Sequence, residues 1–312
     1  MKIRSALVVV VLGTSFGNSI ADTSIENVAL DGARTLASGG DVLESLENNF
    51  SSRADSFAEQ ELARRLENTE ISINGLLEGK PQIGILTVQP LYESEDLQNT
   101  VFTQGSLFNF NGRQTINIGV GYRRMTADEN WLYGVNAFYD HEFPYDHQRS
   151  SVGLELRSSV IELNANQYFA LTDWRDGANG LEERALDGYD VEAGLALPYF
   201  PGGRVYHRQF QWDGEDGAPD IEGSTTSLAI SGDLLIPGLT FEIGATDYDG
   251  DRETREFVQL SYRYTPGDAQ VRPLFSEQAY EFTSMRERRL DKVRRENRII
   301  KQSRGRGTIS FR

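Results

Sequence analysis

Between Glu70 and Tyr264 the chain alternates apolar and polar residues in short runs separated by turn-forming residues. Thr115–Tyr122 shows the pattern. Ile116, Ile118, Val120 and Tyr122 share one face, and Asn117, Gly119 and Gly121 share the other. A period of two is that of a β-strand, whose successive side chains point to opposite faces. The polar face carries Gly, Asn, Glu and Arg, and the apolar face often ends in aromatics. A soluble sandwich also alternates. A membrane barrel does so with its apolar face on lipid, its polar face in a lumen, and aromatics where the wall meets water.

Twelve such segments are expected, at 69–76, 83–90, 99–108, 114–123, 130–140, 148–156, 160–171, 189–197, 204–212, 225–234, 239–247 and 256–264. Each is near the roughly 9–11 residues a tilted strand needs to cross a bilayer. An even strand number is what bacterial barrels use. Connections at 157–159, 198–203 and 236–238 are short, whereas 172–188, 213–224 and 248–255 are longer and acidic. Outer-membrane barrels sort their loops this way, with short periplasmic turns and longer outer loops. The sorting puts both ends of the barrel sequence on the periplasmic side. The charges fall on one face: Glu155 and Arg157 oppose Val152, Leu154 and Leu156, while Glu162 opposes Ile161 and Leu163. Glu192, Glu242 and Arg263 stand in the same relation to their neighbours, and with Arg123 complete an expected lumen-facing set. On the lipid face an Arg would cost roughly 2–4 kcal/mol at the midplane.

The first residues read as an export signal. Lys2 and Arg4 precede the apolar run Ala6–Leu12, and Ser19-Ile20-Ala21 offers a small-x-small cleavage site. The run is far below the roughly 20 residues of a spanning helix. Residues 22–68 form an expected periplasmic segment with short helices over 41–68, where Leu43, Leu46 and Phe50 share a face, as do Phe57, Leu62 and Leu66. The chain has no cysteine, so a hydrogen-bonded sheet rather than disulfides is the expected source of stability. Net charge is −16, unevenly placed. Residues 265–312 hold 12 Lys/Arg against 6 Asp/Glu, a balance of +6, against 19 and 41 in the remainder.

The order of these pieces resembles the β-domain of inverse autotransporters, the intimin and invasin family. The residues that carry the resemblance are Thr115–Arg124, Trp131–Phe143, Arg149–Arg157, Gly188–Phe200, Leu239–Tyr248, Phe257–Tyr264 and the tail Val293–Ile300. The resemblance implies an all-β, twelve-stranded antiparallel barrel in the Gram-negative outer membrane. It also implies a chain that turns back through the pore after the last strand and emerges as an adhesin. No immunoglobulin-like stretch precedes Arg312. A stand-alone barrel, a truncated member and one half of a split system are therefore all left open. Lipid and lipopolysaccharide, the barrel-assembly machinery and periplasmic chaperones are the implied partners, with a separately encoded passenger as a further candidate. No cofactor and no nucleic acid are expected.

Candidate chemistry is sparse. The histidines are His141, His147 and His207, and Asp140-His141 is the one arrangement that suggests an acid–base pair. No partnered nucleophile accompanies it, and a polar residue at the base of a loop is the preferred reading. Asp247, Asp249 and Asp251 suggest a calcium loop, but Gly250 falls at position four rather than six; a solvated acidic loop is preferred. The cations Arg288, Arg289, Arg294, Arg295 and Arg298 are expected to plug the pore by pairing with Glu155, Glu162, Glu192 and Glu242, over a helix at 277–292 and an extended stretch at 293–303. The function expected is a non-enzymatic translocator and anchor for surface display linked to cell adhesion. A porin-like channel is the alternative, and an outer-membrane hydrolase the weaker one.

Overall fold

The computed structural model describes residues 67–75, 82–110, 112–231, 237–250, 253–264 and 275–305. The expected signal peptide at 1–21 lies outside the described residues, as do 265–274, 306–312 and all of the helices expected over 41–68 except Glu67 and Asn68, which form a turn. Fifteen strands are described. In chain order they are β1 Thr69–Asn74, β2 Gln82–Glu93, β3 Asn99–Phe110, β4 Arg113–Met125, β5 Leu132–Phe143, β6 His147–Arg157, β7 Ile161–Ala170, β8 Arg175–Asp176, β9 Leu181–Ala185, β10 Gly188–Leu197, β11 Phe200–Trp212, β12 Ile221–Ser231, β13 Leu239–Tyr248, β14 Arg255–Tyr264 and β15 Lys301–Gly305.

Twelve of them close into an antiparallel barrel. Neighbours in sequence pair in turn, β7 pairs with β10, and β1 meets β14 with Thr69 opposite Tyr264 and Ile73 opposite Leu260. These are the twelve segments read from the alternation, with β11 and β12 starting earlier than expected. The first of these differences reduces the connection after β10 to Pro198 and Tyr199. Along β4, Thr115, Asn117, Gly119, Gly121 and Arg123 are buried while Ile118, Val120 and Tyr122 are exposed. β5, β6, β7 and β10 repeat this inversion, with Val135, Val152, Leu154, Leu163, Val191 and Leu195 facing out. A soluble sheet would bury those residues; here the polar face is the interior.

The loop sorting holds only in part. One end carries the connections 75–81, 111–112, 144–146, 171–187, 213–220 and 249–254, and the other carries 94–98, 126–131, 158–160, 198–199 and 232–238. The longest connections, 171–187 and 213–220, share one end, but short and medium connections occur at both. The longest connection is not merely a loop. Its β8 and β9 form a small sheet with β15 from the tail, Lys301 opposite Ala185 and Gly305 opposite Leu181.

The helix expected over 277–292 does not form. The stretch is irregular, bent at 277–279, with a single 3-10 turn at Arg286–Leu290. Its backbone groups are taken by the barrel's turns. Ser276 donates to the Tyr199 carbonyl and Tyr199 to that of Ala279, at 3.0 Å each, and Met285 donates to the Glu129 carbonyl at 2.8 Å. Ser159 Oγ accepts from the Thr283 amide and donates to the Glu281 carbonyl, both at 2.9 Å. Such tertiary pairing overrides a weak helical preference.

Inside the wall, aromatic rings lie over glycines of the adjacent strand. A Cβ at Gly121 would meet the Phe102 ring at 2.3 Å, and one at Gly119 would meet that of Phe138 at 2.4 Å. Gly121→Val should therefore cost about 1–3 kcal/mol by overpacking. Gly105→Ala, on β3 with nothing within 4 Å of the new methyl, should be nearly neutral. Urea unfolding of the protein refolded in lipid, followed by gel mobility without heating, measures both.

Candidate functional site

Residues 286–300 of the tail run through the lumen and touch inward side chains from most of the wall, leaving a cavity of about 570 Å³ between Glu296, Arg298 and Ile300 and the wall at Arg208, Thr246 and Arg255. Chain direction is fixed by the contacts at each mouth. At the mouth opposite the long loops, Arg286 bonds Glu129 on the β4–β5 turn and Arg289 bonds Glu93 at the end of β2. Arg286 and Ser284 hold the Glu129 carboxyl below the usual carboxylate range. At the other mouth, Lys301 bonds Glu142 near the end of β5 and Arg304 bonds Glu182 on β9. Some ten extended residues lie between, enough for roughly 33 Å, against a bilayer core of about 30 Å.

Two kinds of contact hold the tail. The first joins opposite charges. Asp140 on β5 accepts from both terminal nitrogens of Arg295, at 2.8 and 2.7 Å, and from Arg149 Nε at 2.9 Å; all three side chains are fully buried. Arg288 bonds Glu162, and Arg294 bonds both Glu192 and Glu242. Lys292 reaches Glu70, and Arg263 reaches Asp291 of the tail at 2.6 Å. The second kind joins arginines of the wall to carbonyl oxygens of the tail. Arg123 donates to Arg289 and Asp291 at 2.8 and 2.6 Å, Arg149 to Glu296 at 2.6 Å, and Arg157 to Lys292 at 3.0 Å. Gln104 Oε1 accepts from the Val293 amide at 2.8 Å.

Apolar contacts complete the seat. Leu290 and Val293 pack with Leu86, Val88, Phe102 and Phe138. Met285 packs with Met125 and Leu132, and Ile300 lies against Tyr168, Leu186, Phe210 and Trp212. Each fully buried aliphatic side chain contributes roughly 1.5–3 kcal/mol. Cations stack on rings as well: Arg295 lies 4.3 Å from the Phe138 centroid, Arg294 3.6 Å from that of Tyr206, and Arg123 4.3 Å from that of Phe102.

Two sequence expectations need correction, and one candidate pair is set aside. Glu155 does not pair with the tail. It lies between Arg123 Nε and Arg157 Nη2, at 2.8 and 2.7 Å, so its charge is met within the wall, while Arg123 Nη1 and the same Arg157 Nη2 reach carbonyl oxygens of the tail. Arg298 bonds Glu296 of the tail itself and stacks 4.6 Å from the Phe110 centroid, and among the described residues it binds no lumen carboxylate. Asp140 and His141 cannot act together: Asp140 faces inward, whereas His141 faces out, where it stacks on Phe143 and bonds Tyr139 and Asp146. Asp251 of the suspected calcium loop lies outside the described residues, and Asp247 accepts from Thr254 Oγ1 at 2.6 Å.

Asp140, Glu70, Glu93 and Arg149 were not singled out from sequence as lumen groups. Parity would have found Glu70, Asp140 and Arg149, since Asp140, for one, follows Gly134, Asn136 and Phe138 on the inward face of β5, whereas Glu93 lies beyond a register shift between Pro90 and Tyr92 that reverses the faces of β2.

Residues 24–297 match the protein family described as inverse autotransporter, beta-domain. The inverse autotransporter adhesin YeeJ of Escherichia coli (strain K12) is 30% identical over 222 residues, covering 68% of this chain and 9% of the relative. Invasin of Yersinia enterocolitica is 35% identical over 127 residues, covering 39% of this chain and 15% of the relative. The chain thus spans a small part of these relatives' length. A solved structure from work on in-meso crystallisation of membrane proteins superposes with a TM-score of 0.63 at 22% identity, over 76% of this chain and 98% of that one. At that identity it speaks to the fold alone.

Removing Arg295 should be costly and removing Arg286 should not. Arg295→Ala strips two hydrogen bonds from a buried carboxylate, a change of about 3–5 kcal/mol. Arg286 is an exposed side chain at the mouth, and Arg286→Ala should leave stability almost unchanged. Midpoints of urea unfolding in lipid vesicles give the comparison.

Proposed function

Given that the chain belongs to the inverse autotransporter β-domain family, and so resides in the outer membrane as a β-barrel, we propose that it passes its own tail outward through the lumen and holds it there, anchoring a displayed polypeptide used in adhesion. The observation that carries this reading is the direction of the tail. It is clipped to turns at one mouth, runs through the lumen, and pairs as β15 with β9 of the longest loop at the other. On this reading the long-loop end faces the cell exterior, and residues 22–68 lie in the periplasm. YeeJ and invasin, which are an adhesin and an invasin by name, agree with display as the purpose. The tail is the plug, and Arg288, Arg289, Arg294 and Arg295 are its main charged contacts with the wall.

A porin-like role needs an open lumen, and the tail's contacts oppose it. A hydrolase role loses its candidate pair, because Asp140 and His141 point to opposite sides of the wall.

The test is conductance in planar bilayers together with topology on cells. The full chain should be nearly silent. Deleting 272–312 should raise single-channel conductance and make it selective for cations, because Glu70, Glu162, Glu192 and Glu242 lose the tail's cations. Protease added to intact cells should cut within 172–188 or 213–220 and spare Pro198–Tyr199. Equal conductance with and without the tail, or cleavage confined to the short turns, would sink the reading.

A further inference from the structure

Where the tail leaves the lumen it passes a histidine that nothing satisfies. His147 opens β6 and is fully buried, and neither ring nitrogen has a hydrogen-bond partner. A buried polar group without a partner is costly, and in a native protein calls for an unseen water or ion. Its Nε2 lies 3.3 Å from Glu183 Oε2, out of line for a hydrogen bond. Glu142 completes the group: one ligand atom from each of Glu142, His147 and Glu183 can lie within 4.8 Å of the other two. All three side chains are nearly closed to solvent.

The carboxylates are already served by cations, and those cations differ in kind. Arg113 belongs to the wall and bridges both, at 2.8 Å to Glu142 and 2.7 Å to Glu183. Lys301 belongs to the tail and bonds the remaining oxygen of Glu142. The ammonium of Lys301 thus takes one carboxylate oxygen that a cation bound to these ligands would use, and although an unprotonated ring nitrogen could accept from an ammonium, His147 makes no such bond. A metal ion would use all three groups.

We propose that Glu142, His147 and Glu183 form a site for a divalent transition-metal ion, and that this ion and Lys301 of the tail compete for it. One imidazole nitrogen with two carboxylate oxygens suits Zn2+, which takes three protein ligands and leaves a fourth position to water. Ca2+ and Mg2+ prefer sets made of oxygen alone. Arg113 keeps its bonds to the carboxylates and orients them. Without the ammonium the group carries two negative charges against one positive, and accepts a dication readily; with it, charge is already balanced. By linkage, a docked Lys301 weakens the metal and a bound metal weakens β15 by the same factor.

Tag-free full-length protein in detergent micelles, titrated with ZnCl2 by calorimetry, tests this. Lys301→Met keeps the stem and removes the charge. It should bind one Zn2+ at least tenfold tighter than the unaltered chain, and Lys301→Met with His147→Gln should lose that gain. A second measurement leaves Lys301 in place. A spin label on Ser303→Cys, exposed on β15, should become more mobile as Zn2+ is added and recover with EDTA, and should not respond in the His147→Gln background. Binding no tighter in Lys301→Met, binding indifferent to His147, or a label that ignores Zn2+ would each overturn the proposal.

Discussion

A strand in hydrocarbon has no water to satisfy its edge, and in this molecule β1 and β14 remove the last open edge by pairing with each other. Much else follows from that closure. Once the sheet is closed, every second side chain must point into a narrow interior. The residues placed there are Asn, Glu, Arg and Gly, because the other face must be apolar. The interior then holds charges that neither lipid nor a packed apolar core can receive. Some neutralise one another within the wall, as Arg123, Glu155 and Arg157 do. The rest are met by the tail, whose basic balance is the complement of the acidic lumen.

The wall grips the tail in two chemically different ways. Asp140, Glu162 and Glu192 select side-chain charge, so they bind arginines and little else. Arg123, Arg149 and Arg157 bind carbonyl oxygens, which every residue has. Charge-assisted bonds of this sort are roughly twice as strong as neutral ones. Burial makes each of them expensive to leave half-made. The stacked rings of Phe102, Phe138, Tyr168 and Tyr206 hold the guanidinium groups in place without competing for their hydrogen bonds.

The strands and their faces were legible because a period of two is written locally in the chain. Ile118 and Val120 declare their side of the wall by their neighbours alone. That the tail enters the lumen was legible only as a charge balance. Its individual partners were not, because a pair such as Asp140 and Arg295 depends on a register set by the whole barrel. The helix expected over 277–292 failed for a similar reason: Tyr199, Ser159 and Glu129 compete for its backbone groups from turns far away in sequence. β8 and β9 were hidden too, since a strand of two residues and another of five have no pattern of their own and exist by pairing with β15.

The tail's contacts are also arranged in mechanical series. A pull on Gly305, directed out of the mouth where β15 leaves, would first load the five residue pairs between β15 and β9. Only when these and the Lys301–Glu142 bridge yield does force reach Arg295 and Arg294, then Arg288, and last the clips at Glu129, Ser159 and Tyr199. Each stage passes its load sideways into the wall, and the wall is a closed ring of hydrogen bonds that shares it among twelve strands. The barrel then works as a cleat does on a rope, with tension falling along the tail before it arrives at the strand that precedes it.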